Sequence, residues 1–178
     1  MRRLLYLAPL VALAGIVAAF AVGLRHDPSI LPSQLLNQPL PAFALPGIRP
    51  GERGFTQATL RGEPALLNVW ASWCAACKAE HPVLLRLANE EHVPIYGLAW
   101  KDDPAAAARV LAEDGNPYRM TASDPSGRTG IDLGVTGAPE TFIVDKHGRV
   151  RYKQVGPIGP EVWDGTIAPL LAKLRAEA

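Results

Sequence analysis

Cysteine is scarce in this sequence: only Cys74 and Cys77 occur among 178 residues. The four histidines do not supply the second ligand pair that a structural zinc site with two cysteines requires. Neither sign of charge dominates, because 18 basic and 17 acidic side chains leave a formal net charge of +1, and no basic patch favours nucleic acid. No internal repeat or low-complexity tract is apparent. The chain therefore has one conspicuous chemical feature, its pair of thiols.

The two cysteines lie where an apolar, strand-like run gives way to a helix-like one. Residues 68–77 read Asn-Val-Trp-Ala-Ser-Trp-Cys-Ala-Ala-Cys, and residues 78–85 favour a helix. Cys74 is therefore predicted at a helix start, where unpaired backbone N–H groups and the helix dipole favour a thiolate. We expect Cys74 to have a depressed pKa and to be more accessible than Cys77.

Three interpretations of this dithiol compete. A structural zinc site lacks ligands, as the histidine count indicates. A purely structural disulfide would close too short a loop to restrict the unfolded chain much. A redox-active dithiol at a strand-to-helix junction accounts for both the spacing and the context. The sequence favours this third interpretation.

Strand-like and helix-like segments alternate along the chain. Strands are predicted over residues 65–70, 93–100, 140–145 and 150–155. Helices are predicted over residues 76–91, 104–113 and 160–174. The first two strands alternate with helices, which predicts parallel strands joined by right-handed crossovers. A loop follows around residues 124–127, and the last two strands after it predict a hairpin. The order predicts an α/β fold, a central mixed sheet flanked by helices.

The N-terminus carries Arg2-Arg3 followed by 21 uncharged residues, Leu4 to Leu24. At 1.5 Å per residue a helix of this length spans roughly 30 Å, enough for the core of a bilayer. The run is longer than the apolar core of a cleaved signal peptide, which favours an uncleaved anchor over residues 1–25, although Ala19-Phe20-Ala21 is an acceptable cleavage site. The arginines place the N-terminus in the cytoplasm and the rest of the chain outside it, in a bacterial periplasm.

The remaining chain divides into a tether and one domain. Residues 25–54 are rich in proline and glycine, which predicts an extended tether and an irregular first strand or hairpin. We place the tether at residues 26–36 and the domain at residues 37–175, the size of a single domain.

Several strings resemble the thioredoxin family and one branch of it. Residues 70–77 are similar to the thioredoxin active site. With Glu-His-Pro at 80–82, they resemble the membrane-anchored thiol:disulfide interchange proteins of cytochrome c maturation, the CcmG or DsbE family. Further matches are Trp-Lys-Asp-Asp at 100–103, Gly-Asn-Pro-Tyr at 115–118 and Gly-Val-Thr-Gly-Ala-Pro-Glu-Thr-Phe at 134–142. The resemblance covers about residues 37–175 and implies a thioredoxin fold, in agreement with the element order.

The resemblance implies a redox-active Cys74–Cys77 disulfide in place of any cofactor or metal, with Cys74 as nucleophile and Cys77 as resolving thiol. Asn68 occupies the place of the buried aspartate that accepts a proton in thioredoxins, and an amide cannot do so. Glu80 and Glu140 are the candidates to replace that aspartate. Composition alone favours a solvated Glu80, because glutamate is rarely buried, whereas the resemblance favours an active-site role. Glu140 is also a candidate substrate contact.

The resemblance also assigns the proline loop that faces the dithiol. An X-Pro bond is trans by default, but the match implies that Ala138–Pro139 is cis. The Ala138 backbone would then pair with an extended substrate. Trp73 would add an apolar contact. Trp70 is assigned to the core, and His81 to an ordinary packing or surface role.

The function implied is that of a periplasmic, single-pass inner-membrane protein disulfide reductase. Its substrate would be the oxidised Cys-x-x-Cys-His haem-attachment site of apocytochrome c, and its partners other cytochrome c maturation components. Electrons would come from a membrane thiol reductase of the DsbD or CcdA type. Two alternatives stay open: an anchored reductant for another client, such as a copper-site maturation protein, and a non-catalytic module that binds apocytochrome.

Overall fold

Five strands form one mixed sheet in this computed structural model, which describes residues 9, 11–17, 20 and 34–177. The strands are β1 (Ala65–Trp70), β2 (Ile95–Trp100), β3 (Met120–Asp124), β4 (Glu140–Val144) and β5 (Val150–Val155). Their order is β3-β2-β1-β4-β5, with β1, β2 and β3 parallel and β4 antiparallel to both β1 and β5. All six residues of β1 and all six of β2 are buried, as expected for strands covered on both faces.

The three longest helices pack on the face of the sheet that carries the cysteines, and the last of them closes the chain. The helices are α1 (Ala75–Asn89), α2 (Pro104–Glu113), α3 (Arg128–Asp132), α4 (Pro160–Val162) and α5 (Ala168–Ala176). A π-helical turn, Trp163–Ile167, joins α4 to α5. At the start of α2, the Asp103 carboxylate accepts hydrogen bonds from the N–H groups of Ala105, at 2.7 Å, and Ala106, at 3.0 Å. This cap, with Pro104 in the first turn, fixes where the helix begins.

Each face of the sheet has its own apolar core. Leu66 and Ile143 belong to the core that contains both cysteines, whereas Leu67 and Phe142 belong to the core on the other face. Because successive side chains of a strand point to opposite faces, Asn68 and Thr141 lie on the side of the cysteines and Glu140 on the other side. The two candidate acids therefore lie on different faces: Glu80 follows Cys77 on α1, and Glu140 is on the opposite side of the sheet.

The predicted strands and helices are confirmed, with some differences. The edge strand β3 and the helix α3 were not predicted, and the C-terminal helix is interrupted by its π-helical turn. Residues 120–124 are Met-Thr-Ala-Ser-Asp, without the β-branched apolar run that marks a strand, and are ordered by pairing with β2. In the part of residues 25–54 that the structure describes, isolated bridges replace the expected strand or hairpin. Proline, which has no N–H to donate, accounts for this interruption.

The predicted anchor over residues 1–25 lies largely outside the described residues, as does most of the tether. Residues 11–17 are helical, with exposed side chains. Within the described ranges, no helix is long and apolar enough to cross a membrane. The domain boundaries stay predictions.

The β4–β5 turn is held by Asp145, which is 4 % exposed. Burial opposes ionisation, but hydrogen bonds from the Arg149 and His147 N–H groups and from the Arg151 guanidinium outweigh it and lower the pKa of this carboxyl. A lowered pKa contributes stability above the ordinary pKa of the group, and this contribution is lost as the pH falls through the folded-state pKa.

We therefore expect Asp145→Asn to destabilise the oxidised protein by about 2 kcal/mol at pH 7, and by much less near pH 2, where the wild-type carboxyl is also becoming neutral. Denaturant unfolding at both pH values measures this. Glu91→Gln is the control, because Glu91 forms an ion pair with Arg86 that is largely exposed. An Asp145→Asn defect of equal size at both pH values would contradict the assignment.

Candidate active site

The two cysteines form a disulfide at the N-terminus of α1. Cys74 is the N-cap residue, with extended backbone, and its Sγ accepts a hydrogen bond from the Cys77 N–H at 3.1 Å. In the reduced state the same N–H and the helix dipole stabilise a thiolate on Cys74. The exposed fractions are similar in this oxidised form, 5 % for Cys74 and 6 % for Cys77, and the greater accessibility of the reduced Cys74 thiol stays a prediction.

The loop before Cys74 is fixed to the end of β2. The Asp102 carboxylate accepts hydrogen bonds from the N–H and the hydroxyl of Ser72, the latter at 2.7 Å. Trp73 donates its indole N–H to the Lys101 carbonyl at 3.0 Å, and Lys101 has a left-handed backbone with φ of 49°. The Trp73 side chain is nevertheless well exposed, at 58 %. It offers an apolar surface immediately beside Cys74, and its contact with substrate stays a prediction.

The proline loop lies against the dithiol. The Ala138–Pro139 bond is cis, which confirms the prediction for this bond. The Ala138 carbonyl oxygen is 3.3 Å from Cys74 Sγ, a distance at which a reduced Cys74 thiol donates a weak hydrogen bond. Pro139 is buried, and its carbonyl accepts from the Gly156 N–H at 2.9 Å. The backbone of Ala138 is thus placed beside Cys74 Sγ, the predicted nucleophile.

Glu80 is buried in a hydrogen-bonded network, with 2 % exposure. Its carboxylate accepts from the Ile158 N–H at 2.7 Å and from the Asn68 amide at 3.2 Å. Asn68 also donates to the Thr141 hydroxyl at 2.9 Å and accepts from the Tyr118 hydroxyl at 2.9 Å. The solvated Glu80 that composition favours is therefore wrong, and the active-site role that the resemblance favours stays a prediction.

Burial dominates the electrostatics of this network. It raises the pKa of Glu80 to about 7, against the opposing hydrogen bonds from Ile158 and Asn68. Burial also raises the pKa of Tyr118 well above its usual value, and the charge of Glu80 adds to this. Tyr118 therefore remains a hydrogen-bond donor at neutral pH. Glu80 is the group here that changes charge near pH 7.

A small cavity connects Glu80 with the dithiol. Its volume is about 10 Å³, room for about one water molecule, and its walls include Cys77, Glu80, Asn68 and Tyr118. Glu80 follows Cys77 by three residues, so both side chains lie on one face of α1. A single water in this cavity can link the Cys77 thiol to the carboxylate.

Glu140 and His81 have other surroundings. Glu140 is fully buried, and its carboxylate contacts Thr136 and Lys153. This placement favours a role in holding the proline loop over direct contact with substrate. The Nε2 atom of His81 lies 2.9 Å from the Gly115 carbonyl, in keeping with a packing role.

Known proteins that are similar to this chain show which family it belongs to. The Redoxin family matches residues 35–168. The thiol:disulfide interchange protein DsbE of Pseudomonas aeruginosa is 49 % identical over 178 residues, covering 99 % of this chain and 98 % of the relative. The DsbE protein of Escherichia coli K12 is 40 % identical over 184 residues, covering 100 % of this chain and 99 % of the relative. The chain belongs to the DsbE family of thiol:disulfide interchange proteins.

A solved structure supports the same fold. The thio-disulfide isomerase from Thermus thermophilus is 28 % identical, with a TM-score of 0.62, over 80 % of this chain and 99 % of the other. This DsbE-family protein has the thioredoxin-like α/β fold and is a thiol:disulfide oxidoreductase, with Cys74 and Cys77 as its redox pair. Among the described residues, no group of three or more His, Cys, Asp or Glu side chains is placed to hold a metal ion.

Sequence reasoning on this DsbE-family protein missed several contacts. Tyr118 and Asp102 lie in strings that resemble the family. The sequence did not predict that Tyr118 contacts Asn68 or that Asp102 contacts Ser72. A signal existed for Asp102: it follows β2, and the carboxyl ends of neighbouring parallel strands β1 and β2 meet at one edge of the sheet. Lys153 gave no signal, because an isolated lysine in a strand is ordinarily solvated.

Proposed function

We propose that this protein is a membrane-anchored periplasmic reductant of the oxidised Cys-x-x-Cys-His site of apocytochrome c, acting with other cytochrome c maturation components. Its electrons would come from a membrane thiol reductase of the DsbD or CcdA type. The observation that carries the proposal is a Cys-x-x-Cys pair beside a buried glutamate in a chain similar to DsbE proteins over nearly its whole length. The apolar run over residues 4–24 supports the anchor, and the arginines before it support the orientation.

The exchange proceeds in two balanced steps. The Cys74 thiolate attacks one sulfur of the substrate disulfide, so that a Cys74–substrate bond forms while the substrate disulfide breaks and its other sulfur leaves as a thiolate. The Cys77 thiolate then attacks Cys74 Sγ, the enzyme disulfide forms, and the second substrate sulfur leaves. Two electrons have then passed from the enzyme to its substrate, whose two sulfurs leave as thiolates and take up protons from solvent.

Glu80 takes the proton that Cys77 must release before the second step. Its pKa of about 7 matches this task, because an acceptor is most effective when its pKa lies near the working pH. The proton travels from the thiol to the carboxylate through the water-sized cavity. Asn68 supplies no proton acceptor, but it orients the Glu80 carboxylate by donating to it.

Replacing Cys77 by alanine tests the substrate assignment. The variant retains the nucleophile but lacks the resolving thiol, so Cys74 mixed disulfides should accumulate in cells, with apocytochrome c among the trapped proteins. Non-reducing gels and mass spectrometry identify the partners. Cys74→Ala/Cys77→Ala is the control and should trap nothing. Trapping of other envelope proteins without apocytochrome c would favour the alternative client, and the absence of any adduct would favour a binding module.

A further inference from the structure

A buried ion pair lies behind the proline loop. Glu140 on β4 is fully buried, and the Lys153 side chain on β5 is 5 % exposed. Lys153 is opposite Phe142 in the register and reaches diagonally to Glu140, with Nζ 2.9 Å from Oε2 and 5.4 Å from the centre of the Phe142 ring. The approach to Oε2 lies outside hydrogen-bond geometry, so the contact is an ion pair rather than a hydrogen bond.

The two charged groups bind the proline loop at two points. The Lys153 ammonium donates to the Gly134 carbonyl at 2.8 Å. The other oxygen of Glu140 accepts from the Thr136 N–H at 3.0 Å and from the Thr136 hydroxyl. The loop from residue 134 to residue 139 is therefore fastened near its start, while its end runs directly into Glu140. We call Glu140 and Lys153 with these contacts the loop clamp.

The loop clamp acts on the backbone that faces the nucleophile. Ala138 lies between the clamped residues and Pro139, and its carbonyl oxygen is 3.3 Å from Cys74 Sγ. The clamp residues lie across the sheet from Glu80, so they have no path to the proton acceptor through direct contact. Their effect on the reaction runs through the position of Ala138.

We propose that Lys153 and Glu140 are positioning residues that hold Ala138 for pairing with the backbone of a peptide disulfide. The inference rests on the proposed peptide substrate, but it requires no haem-attachment sequence. A small disulfide without a peptide backbone needs only Cys74, whereas a peptide also needs the Ala138 edge. Loss of the clamp should therefore separate the two classes of substrate.

The test compares the reduced full-length protein and its variants on two disulfides. One is 5,5′-dithiobis(2-nitrobenzoate), and the other is an oxidised Cys-x-x-Cys peptide with no haem-attachment histidine. For Lys153→Met we expect the rate with the peptide to fall about 10-fold to 100-fold and the rate with the small disulfide to change less than about twofold. Lys153→Arg keeps a cation and should retain most of the peptide rate. Arg119→Met, which breaks the exposed pair with Glu63, should change neither rate.

A double variant separates positioning from stability. Lys153→Met alone leaves a buried carboxylate without its cation, which destabilises the fold. Glu140→Gln/Lys153→Met buries no net charge, so its thermal midpoint should return most of the way to that of the wild type. We expect its peptide rate to remain low, because the Gly134 carbonyl still has no ammonium donor. Recovery of the peptide rate with the midpoint would overturn the proposal. Equal losses on both substrates, or no loss on either, would also overturn it. Failure of the cytochrome c assignment alone would leave these outcomes unchanged, because the peptide contains no haem-attachment site.

Discussion

Replacing Cys74 by serine is expected to reduce disulfide exchange by at least on the order of 10³-fold, because the attacking group is lost. A serine hydroxyl stays protonated at neutral pH even at a helix N-terminus, and it forms no sulfur–sulfur bond with substrate. The Cys77 N–H, which contacts Cys74 Sγ at 3.1 Å, would remain in place without a thiolate to stabilise. Stopped-flow reduction of the oxidised peptide and of the small disulfide measures the loss, which should be similar for both.

In cells, the same variant tests the cytochrome c assignment. We expect Cys74→Ser cells to lose c-type cytochromes and to recover them when a thiol reductant is added to the medium. Haem-stained gels of membrane and periplasmic fractions measure the amount, with the wild-type gene at equal expression as control. Normal cytochrome levels would contradict the assignment. A loss that an added thiol does not repair would favour a binding module over a reductant.

Replacing Glu80 by glutamine should impair the second step of the exchange. The proton of Cys77 would lose its acceptor, so release of substrate from the Cys74 mixed disulfide should slow about 10-fold to 100-fold. Removal of the nearby negative charge should also lower the pKa of Cys74. Rapid-quench kinetics on a preformed mixed disulfide and alkylation rates against pH measure the two effects.

Glu91→Gln is the matched control for the thiol titration, because it removes one carboxylate charge from a largely exposed ion pair with Arg86. It should leave the Cys74 pKa unchanged. If Glu80→Gln left the thiol titration and the release rate as in the wild type, Glu80 would not be the proton acceptor.

The Glu80 carboxyl also gives the oxidised protein a pH-dependent stability. Its pKa rises from 4.5 to about 7 on folding, which corresponds to about 3 kcal/mol. Below pH 4.5 the group is neutral in both states and its stabilising contribution is fully present. As the pH rises through 4.5 towards 7, the unfolded chain ionises first and stability falls, and above pH 7 the loss is complete.

Glu80→Gln should flatten this slope. Glutamine loses one acceptor towards Ile158 or Asn68, which lowers stability at every pH, so the informative quantity is the difference between pH 5 and pH 8. Urea unfolding of the oxidised wild type and variant at both pH values measures this difference in the free energy of unfolding. A slope unchanged in the variant would show that another group titrates.

The sequence predicted those parts of the molecule that depend on local pattern. Strand β1, helix α1 and the dithiol between them follow from apolar runs, a helix start and the Cys-x-x-Cys spacing. Asn68 could be recognised as unable to accept a proton. Its hydrogen bonds to three side chains could not be foreseen, because Tyr118 and Thr141 are 50 and 73 residues away along the chain. Such long-range partners leave no local periodicity.

The misses have the same cause. Strand β3 is ordered by its neighbour β2 rather than by its own composition. The burial of Lys153 could not be predicted from its residue type, because lysine is ordinarily exposed. Only the register that places it opposite Phe142 brings its ammonium to Glu140. Position in a strand fixes the face on which a side chain lies, and the pairing of strands fixes its partner.

Two consecutive residues of strand β4 point to opposite faces of the sheet. Thr141 belongs to the hydrogen-bonded network around Glu80, and Glu140 belongs to the loop clamp behind Ala138, with the thickness of a sheet between them. No hydrogen bond joins their described side chains, so a substitution on one side leaves the side-chain contacts on the other side in place. An engineer could therefore alter the reducing strength of the protein from one face and its choice of client from the other, and natural drift could do the same.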